Sequence, residues 1–271
     1  MRLTDYEKAA QREIDAWQRD ESPLQKAINV TLSPVDWLFK KAIPDEVVDQ
    51  ISNALNEALG ALNNASEYTF EAQDILDAAE QFDLEVNTVE ALREQPLDRL
   101  DELARSFLSQ NTIQAALSGG GTGLGGPLLI AADVPILFTI NFRLIQQIGA
   151  SYGFELKDEA FKPLLLAIFN VAAAGTKDAK STAMRELSVA AAAFAHGGGY
   201  RGRRASSTFR DQIGHLPREI AKNLAGRKLG QLIPIAGAAV GAGVNYWFTE
   251  QTAKTAYMLF RSLYLERKDR M

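Results

Sequence analysis

The 271-residue sequence contains no cysteine. That absence removes disulfide frameworks, thiolate metal sites and thiol nucleophiles, and it fits a reducing compartment. Histidine occurs only as His196 and His215, so no second imidazole stands near either to complete a metal motif. The sequence also has no H-E-x-x-H and no Gly-Lys-Ser/Thr, which leaves zincin and P-loop chemistry without their defining residues, and no catalytic serine is assigned. Period-two alternation and strand-turn-strand patterns are missing. The first residues carry Asp5 and Glu7 where a secretory signal needs an apolar stretch, so the reading is a cytoplasmic protein starting near Met1.

What is abundant is helical periodicity, and the predicted fold is all-α, a multi-helix bundle. Leu3, Tyr6, Ala10, Ile14 and Trp17 step by three or four as one helix face does. Ser33-Pro34 gives a start signal ahead of Trp37 and Leu38. After Pro44, a long helix is marked by Val47, Val48, Ile51, Leu55, Leu59 and Leu62, with acids in its first turn. Asn87-Thr88-Val89-Glu90 resembles a capping box, and Pro96 opens a helix through Leu100, Leu103, Phe107 and Leu108. Further helices are predicted over residues 127–151, bent near Pro135, then 158–174, 178–195, 206–225, 228–242 and 244–267.

Charge divides the chain. Residues 1–110 hold 10 Lys+Arg against 23 Asp+Glu, so of the 29 and 34 in the whole sequence the rest holds 19 against 11. The expected organisation is an acidic helical region, 1–105, packed on a Gly/Ala-rich, low-charge helical core, 106–271, in two parts or as one domain. A basic cluster includes Arg201, Arg203, Arg204, Arg210, Arg218 and Lys222. It reads as a surface for anionic lipid or as an internal partner for the acidic half. Nucleic acid is not expected, because only Tyr200 and Phe209 interleave the cluster and the pI is about 5.3. Ile213, Leu216, Ile220 and Leu224 lie opposite Arg210, Arg218 and Lys222, as in a membrane-surface helix.

Residues 106–132 carry no charge and include the break Gly119-Gly120-Gly121-Thr122-Gly123-Leu124-Gly125-Gly126-Pro127. Gly121 to Gly126 satisfies G-x-G-x-x-G, but a helix rather than a strand precedes it and no acid follows about 20 residues on, so no dinucleotide or other cofactor is expected. The reading is a helix break whose amides can receive a phosphate headgroup. Asp133 and Arg143 share a helix face, yet lie about 15 Å apart along it and cannot touch within one straight helix. Residues 229–249 are uncharged for 21 positions, the length of a span, but Gln231, Pro234, Asn245 and the small residues 237–241 favour close packing or surface contact over crossing. His215, four residues from both Asp211 and Glu219, suggests either a metal held through two or three ligands or a solvated charged face; no metal is assigned.

The ordered set Thr122 to Gly126, Ala131-Ala132-Asp133-Val134-Pro135, Phe142 to Gly149 and Tyr152-Gly153, with residues 232–248 and Ala256-Tyr257, resembles the EcsC protein family. The likeness runs from about Pro96 to the last residue. The family is named after a bacterial gene beside the ATPase and membrane subunits of an ABC transporter. The resemblance therefore implies a bacterial cytoplasmic protein with an envelope connection and brings no catalytic residues. The expected function is non-enzymatic: lipid binding or peripheral attachment on the inner face of the cell membrane. Anionic lipid or a lipid-like ligand would then be the partner, with a second copy or an envelope protein as further candidates. The candidate ligand or lipid site comprises Gly121, Thr122, Gly123, Asp133, Arg143 and Asn245. Two alternatives stand beside this: an enzyme or small-ligand receptor using those polar groups in a helical cavity, and a soluble interaction scaffold.

Overall fold

The computed structural model describes residues 3–19, 44–61, 72–108, 127–154, 156, 161–174, 177–195, 214–228 and 237–270. Among them every regular element is a helix: α1 (Asp5–Gln18), α2 (Asp45–Ala61), α3 (Ala72–Glu80), a 3-10 turn (Val89–Glu94), α4 (97–108), α5 (Pro127–Ser151), α6 (Lys162–Ala173), α7 (Lys177–Ala195), α8 (Leu216–Lys228) and α9 (Gly237–Arg270). The Ser33-Pro34 start signal and the glycine-rich break lie outside the described residues.

Helix α6 sits at the centre. Every residue from Leu164 to Ala173 is buried, as an element apolar on all sides must be. It packs on α7, α8 and α9, while α5 packs on α2 and α9. Around it Phe138, Phe142, Phe169 and Phe248 form a ring cluster; Phe169 lies 5.1 Å from Phe142, 5.4 Å from Phe138 and 5.5 Å from Phe248 between centroids. Each such buried ring stabilises the core by roughly 1.5–3 kcal/mol through removal of apolar surface from water. The core is continuous: one cluster joins Ala10 and Ile14 of α1 to Phe260 and Leu263 of α9, so the acidic helices are built into the same interior as the low-charge ones.

Several local expectations shift by a residue or a turn. In α1 the buried face runs through Glu7, Ala10, Ile14 and Trp17, while Tyr6 is 38% exposed. Glu7 turns inward because it completes a capping box with Thr4, whose hydroxyl accepts from the Glu7 amide. At residue 88 the cap is Thr88, which accepts from the Ala91 amide and starts a 3-10 turn; Asn87 is not the capping residue. Residues 214 and 215 form a turn and α8 begins at Leu216, so Pro217 falls in the first turn, where its missing N–H costs nothing. The break expected at residue 243, between helices over 228–242 and 244–267, is absent: one continuous 34-residue helix runs Gly237–Arg270, while 229–236 lie outside the described residues. Gly243 is helical there with open space around it, and packing by Phe248, Ala256 and Phe260 outweighs the roughly 1 kcal/mol that a helical glycine costs.

Candidate functional site

The longest helix pair sets the geometry. Phe138 meets Phe248 at 6.1 Å between ring centroids. Further along, Asn141 Nδ2 donates to Thr249 Oγ1 at 2.9 Å, and Gly149 faces the Phe260 ring. Residue numbers rise together on both helices, so α5 and α9 run parallel and both begin at the same end. Each is entered from an uncharged segment, 106–132 before and into α5 and 229–249 before and into α9. Nine residues, about 14 Å, along from each helix start, Ile136 and Tyr246 share the register of the 138/248 pair, and each is 47% exposed. No helix among the described residues is long and apolar enough to cross a membrane.

The residues singled out by sequence divide. Gly121, Thr122, Gly123, Arg201, Arg203, Arg204 and Arg210 lie outside the described residues. Asp133 is on the backbone of α5 beyond the described side chains. Arg143 and Asn245 are not brought together: Arg143 is exposed and pairs with Asp74 of α3 at 3.6 Å, whereas Asn245 is fully buried in α9. Arg218 is held by α2, donating to Asp49 Oδ1 at 2.5 Å and to Asp45 Oδ1 at 3.0 Å. Lys222 is exposed. The apolar face of α8, with Leu216, Ile220 and Leu224 all fully buried, packs inward on α2 and α6, so this helix does not offer that face to a bilayer.

Sequence reasoning missed the polar centre of the molecule. Asp101 of α4 is fully buried and accepts three hydrogen bonds, from Tyr6 at 2.7 Å, from Tyr152 at 2.6 Å and from Arg261 Nε at 2.8 Å. Arg261, 1% exposed, also donates to Glu13 at 2.6 Å and lies 4.9 Å from the Tyr257 ring centroid. Arg105 donates to the Tyr257 hydroxyl at 2.8 Å. Burial pushes the Tyr6 hydroxyl up to about 12, with the Asp101 carboxylate adding to the effect. Burial, again with Asp101, holds Tyr152 and Tyr257 well above the usual phenol value. The arrangement ties four elements to one another, with Asp101 and Arg261 buried at its centre and Tyr6 and Glu13 at its solvent edge. Its signal was the spacing Tyr257, Arg261, Tyr264, Lys268, a polar stripe of period three and four along α9. Tyr264 donates to the Gln95 carbonyl at 2.8 Å, and Lys268 to Glu7.

A surface cleft of about 510 Å³ opens between α1 and α7, lined by Arg19, Asp178, Lys180 and Arg185 among others, and none of the sequence-predicted site residues borders it. His215 stands in the turn before α8, beside Glu219 and beside Glu186 of α7, a neighbour that helical spacing could not reveal. Asp211 lies outside the described residues.

The EcsC protein family model matches residues 8–265. "Uncharacterized protein YdbA" of Bacillus subtilis (strain 168) is 25% identical over 256 residues, covering 92% of this chain and 89% of that protein. "Protein EcsC" of the same organism is 31% identical over 164 residues, 60% of this chain and 63% of that protein. No solved structure matches.

Proposed function

The chain belongs to the EcsC protein family, and on that premise we propose that it is a non-enzymatic protein that attaches peripherally to anionic lipid through the shared end of α5 and α9. The observation that carries this reading is the parallel pairing. It brings together the starts of α5 and α9, each preceded in sequence by an uncharged segment, and Ile136 and Tyr246 stand half-exposed about 14 Å along the two helices. Apolar side chains at the water boundary of a charge-poor surface suit shallow insertion, and nearby basic residues contribute about 1 kcal/mol each near an anionic surface. The attraction would come from Arg201, Arg203, Arg204, Arg210 and Lys222, because Arg218 is already paired with Asp45 and Asp49.

Flotation of the purified protein with phosphatidylcholine vesicles and with vesicles enriched in phosphatidylserine tests it. Binding should require the anionic lipid and weaken at high salt. Ile136→Glu with Tyr246→Glu should abolish it, and changing Arg201, Arg203 and Arg204 together to Ala should weaken it several-fold. No flotation under any of these conditions would sink the reading.

A second reading, the soluble interaction scaffold, is favoured by a different observation. Every ion pair that links the first 105 residues to the later ones among the described residues has its acid in the first part and its base in the second: Asp74–Arg143, Asp45 and Asp49 with Arg218, Glu13 and Asp101 with Arg261, Glu94–Arg267 and Glu7–Lys268. On that reading the charge division serves internal docking. The wild-type protein would then ignore vesicles of both compositions.

A further inference from the structure

We propose that Glu186, His215 and Glu219 form a binding site for a divalent transition-metal ion of the Zn²⁺ class, clamped between α7 and the start of α8. The three side chains reach one another from separate parts of the chain. His215 Nε2 lies 3.1 Å from Glu186 Oε1 and 3.5 Å from Glu219 Oε2, and one ligand atom from each of the three fits within 4.8 Å of the others. Zinc bonds nitrogen at about 2.0–2.1 Å and carboxylate oxygen at about 2.0–2.2 Å, so the edge of a tetrahedron around it measures roughly 3.3–3.5 Å. The two nitrogen–oxygen separations straddle that edge, and the two carboxylate oxygens, within 4.8 Å of each other, would draw together to close the third.

The chemistry of the set selects the ion. One imidazole and two carboxylates suit Zn²⁺ and its neighbours, whereas Ca²⁺ asks for six to eight oxygens and Mg²⁺ keeps most of its water. The side chains of Glu186, Glu219 and His215 are 25%, 31% and 52% exposed, so the ion would have an entry path and a fourth position open to water.

A second observation comes from α6. Asn170 is fully buried, and its Nδ2 donates to Glu186 Oε2 at 2.8 Å. It thereby fixes one carboxylate oxygen and presents the other, Oε1, to His215. The Asn170 Oδ1 has no hydrogen-bond partner among the described residues. A buried amide with one end unpaired carries a desolvation cost, and what it does here is orient a ligand carboxylate, the role that outer hydrogen bonds play at metal sites. The competing description is His215 as a hydrogen-bond partner of two carboxylates with no ion between them, and metal titration separates the two.

The full-length protein, stripped with chelator, would be titrated with ZnCl₂ by calorimetry. Co²⁺ would be added in parallel to read tetrahedral ligation from its visible absorption. One ion should bind per chain. His215→Ala and Glu219→Gln, both at partly exposed positions and checked for unchanged helical circular dichroism, should each weaken binding by at least about tenfold. Asn170→Ser should also weaken it, and its metal-free melting curve would show whether the fold has been lost. Absence of saturable Zn²⁺ binding by the folded wild-type protein, or any smaller loss in His215→Ala, overturns the proposal and leaves His215 as an ion-pair partner alone.

Discussion

Asp101 accepts three hydrogen bonds and, as a carboxylate, donates none. An amide in its place has one oxygen, so Asp101→Asn would turn an NH₂ group toward donors on Tyr6, Tyr152 or Arg261. It would also leave the buried guanidinium with only Glu13, which is itself largely exposed. Breaking a buried pair from one side costs about 3–5 kcal/mol. The variant should lose that much in urea unfolding with its m-value unchanged; a loss below 1 kcal/mol would mean that the network holds little of the fold together. Arg261 belongs to the polar stripe of α9, but its partner was not legible: Asp101 has Arg105 four residues on as the local candidate, and the pairing with Arg261 spans 160 positions.

At the scale of elements, the turn after α5 depends on Gly153. Its φ is +78°, in the left-handed region, and a Cβ there would fall 2.3 Å from Arg93 Cγ and 2.9 Å from the Arg93 amide nitrogen. Arg93 Nε donates to the Gly153 carbonyl, so α5 is docked on the 3-10 turn through backbone that tolerates no side chain. Gly153→Ala combines left-handed strain with a backbone clash and should lower stability by about 1–3 kcal/mol in thermal or urea unfolding. A neutral result would require the 3-10 turn to move away.

Helix existence was legible wherever apolar residues stepped by three or four: Val48, Ile51, Leu55 and Leu59 are all buried, as their spacing requires. The continuity of α9 was not, because glycine at 241 and 243 reads as a break until the packing of the whole helix is known. The Glu186–His215 contact was equally hidden, since it joins α7 to the turn before α8 across 29 positions. The basic face of α8 was visible, but its apolar face has the same period whether it meets lipid or α6.

For the whole molecule, the tyrosines set an alkaline limit. Burial raises Tyr6 and Tyr264 to about 12 and Tyr152 and Tyr257 well above the ordinary value. In the unfolded chain these phenols ionise near pH 10. Above that pH the unfolded state binds fewer protons, so stability falls as pH rises. The stabilisation is complete below about pH 10 and is lost progressively as pH climbs toward 12 and beyond. A spectrophotometric titration should show these four ionising late, together with loss of helical circular dichroism; early, non-cooperative ionisation of all tyrosines with helicity intact would contradict the buried network. On the acid side Glu7 acts in the opposite sense. Burial alone would raise it, but hydrogen bonds from Lys268 and Thr4 outweigh that and hold it below the usual carboxylate range, so its contribution is present above about pH 4.5 and fades below.

The contact between Glu7 and Lys268 spans 261 positions, nearly the length of the chain. A ribosome adds about 5–20 residues per second, so α1 emerges on the order of ten to fifty seconds before the residue that secures it. During that interval α1, whose buried face carries Ile14 and Trp17, has no α9 to pack on, and the like charge of the acidic helices opposes their association. The excess of carboxylates in the first part of the chain would then act before the fold exists, keeping the nascent protein from associating until its last helix arrives.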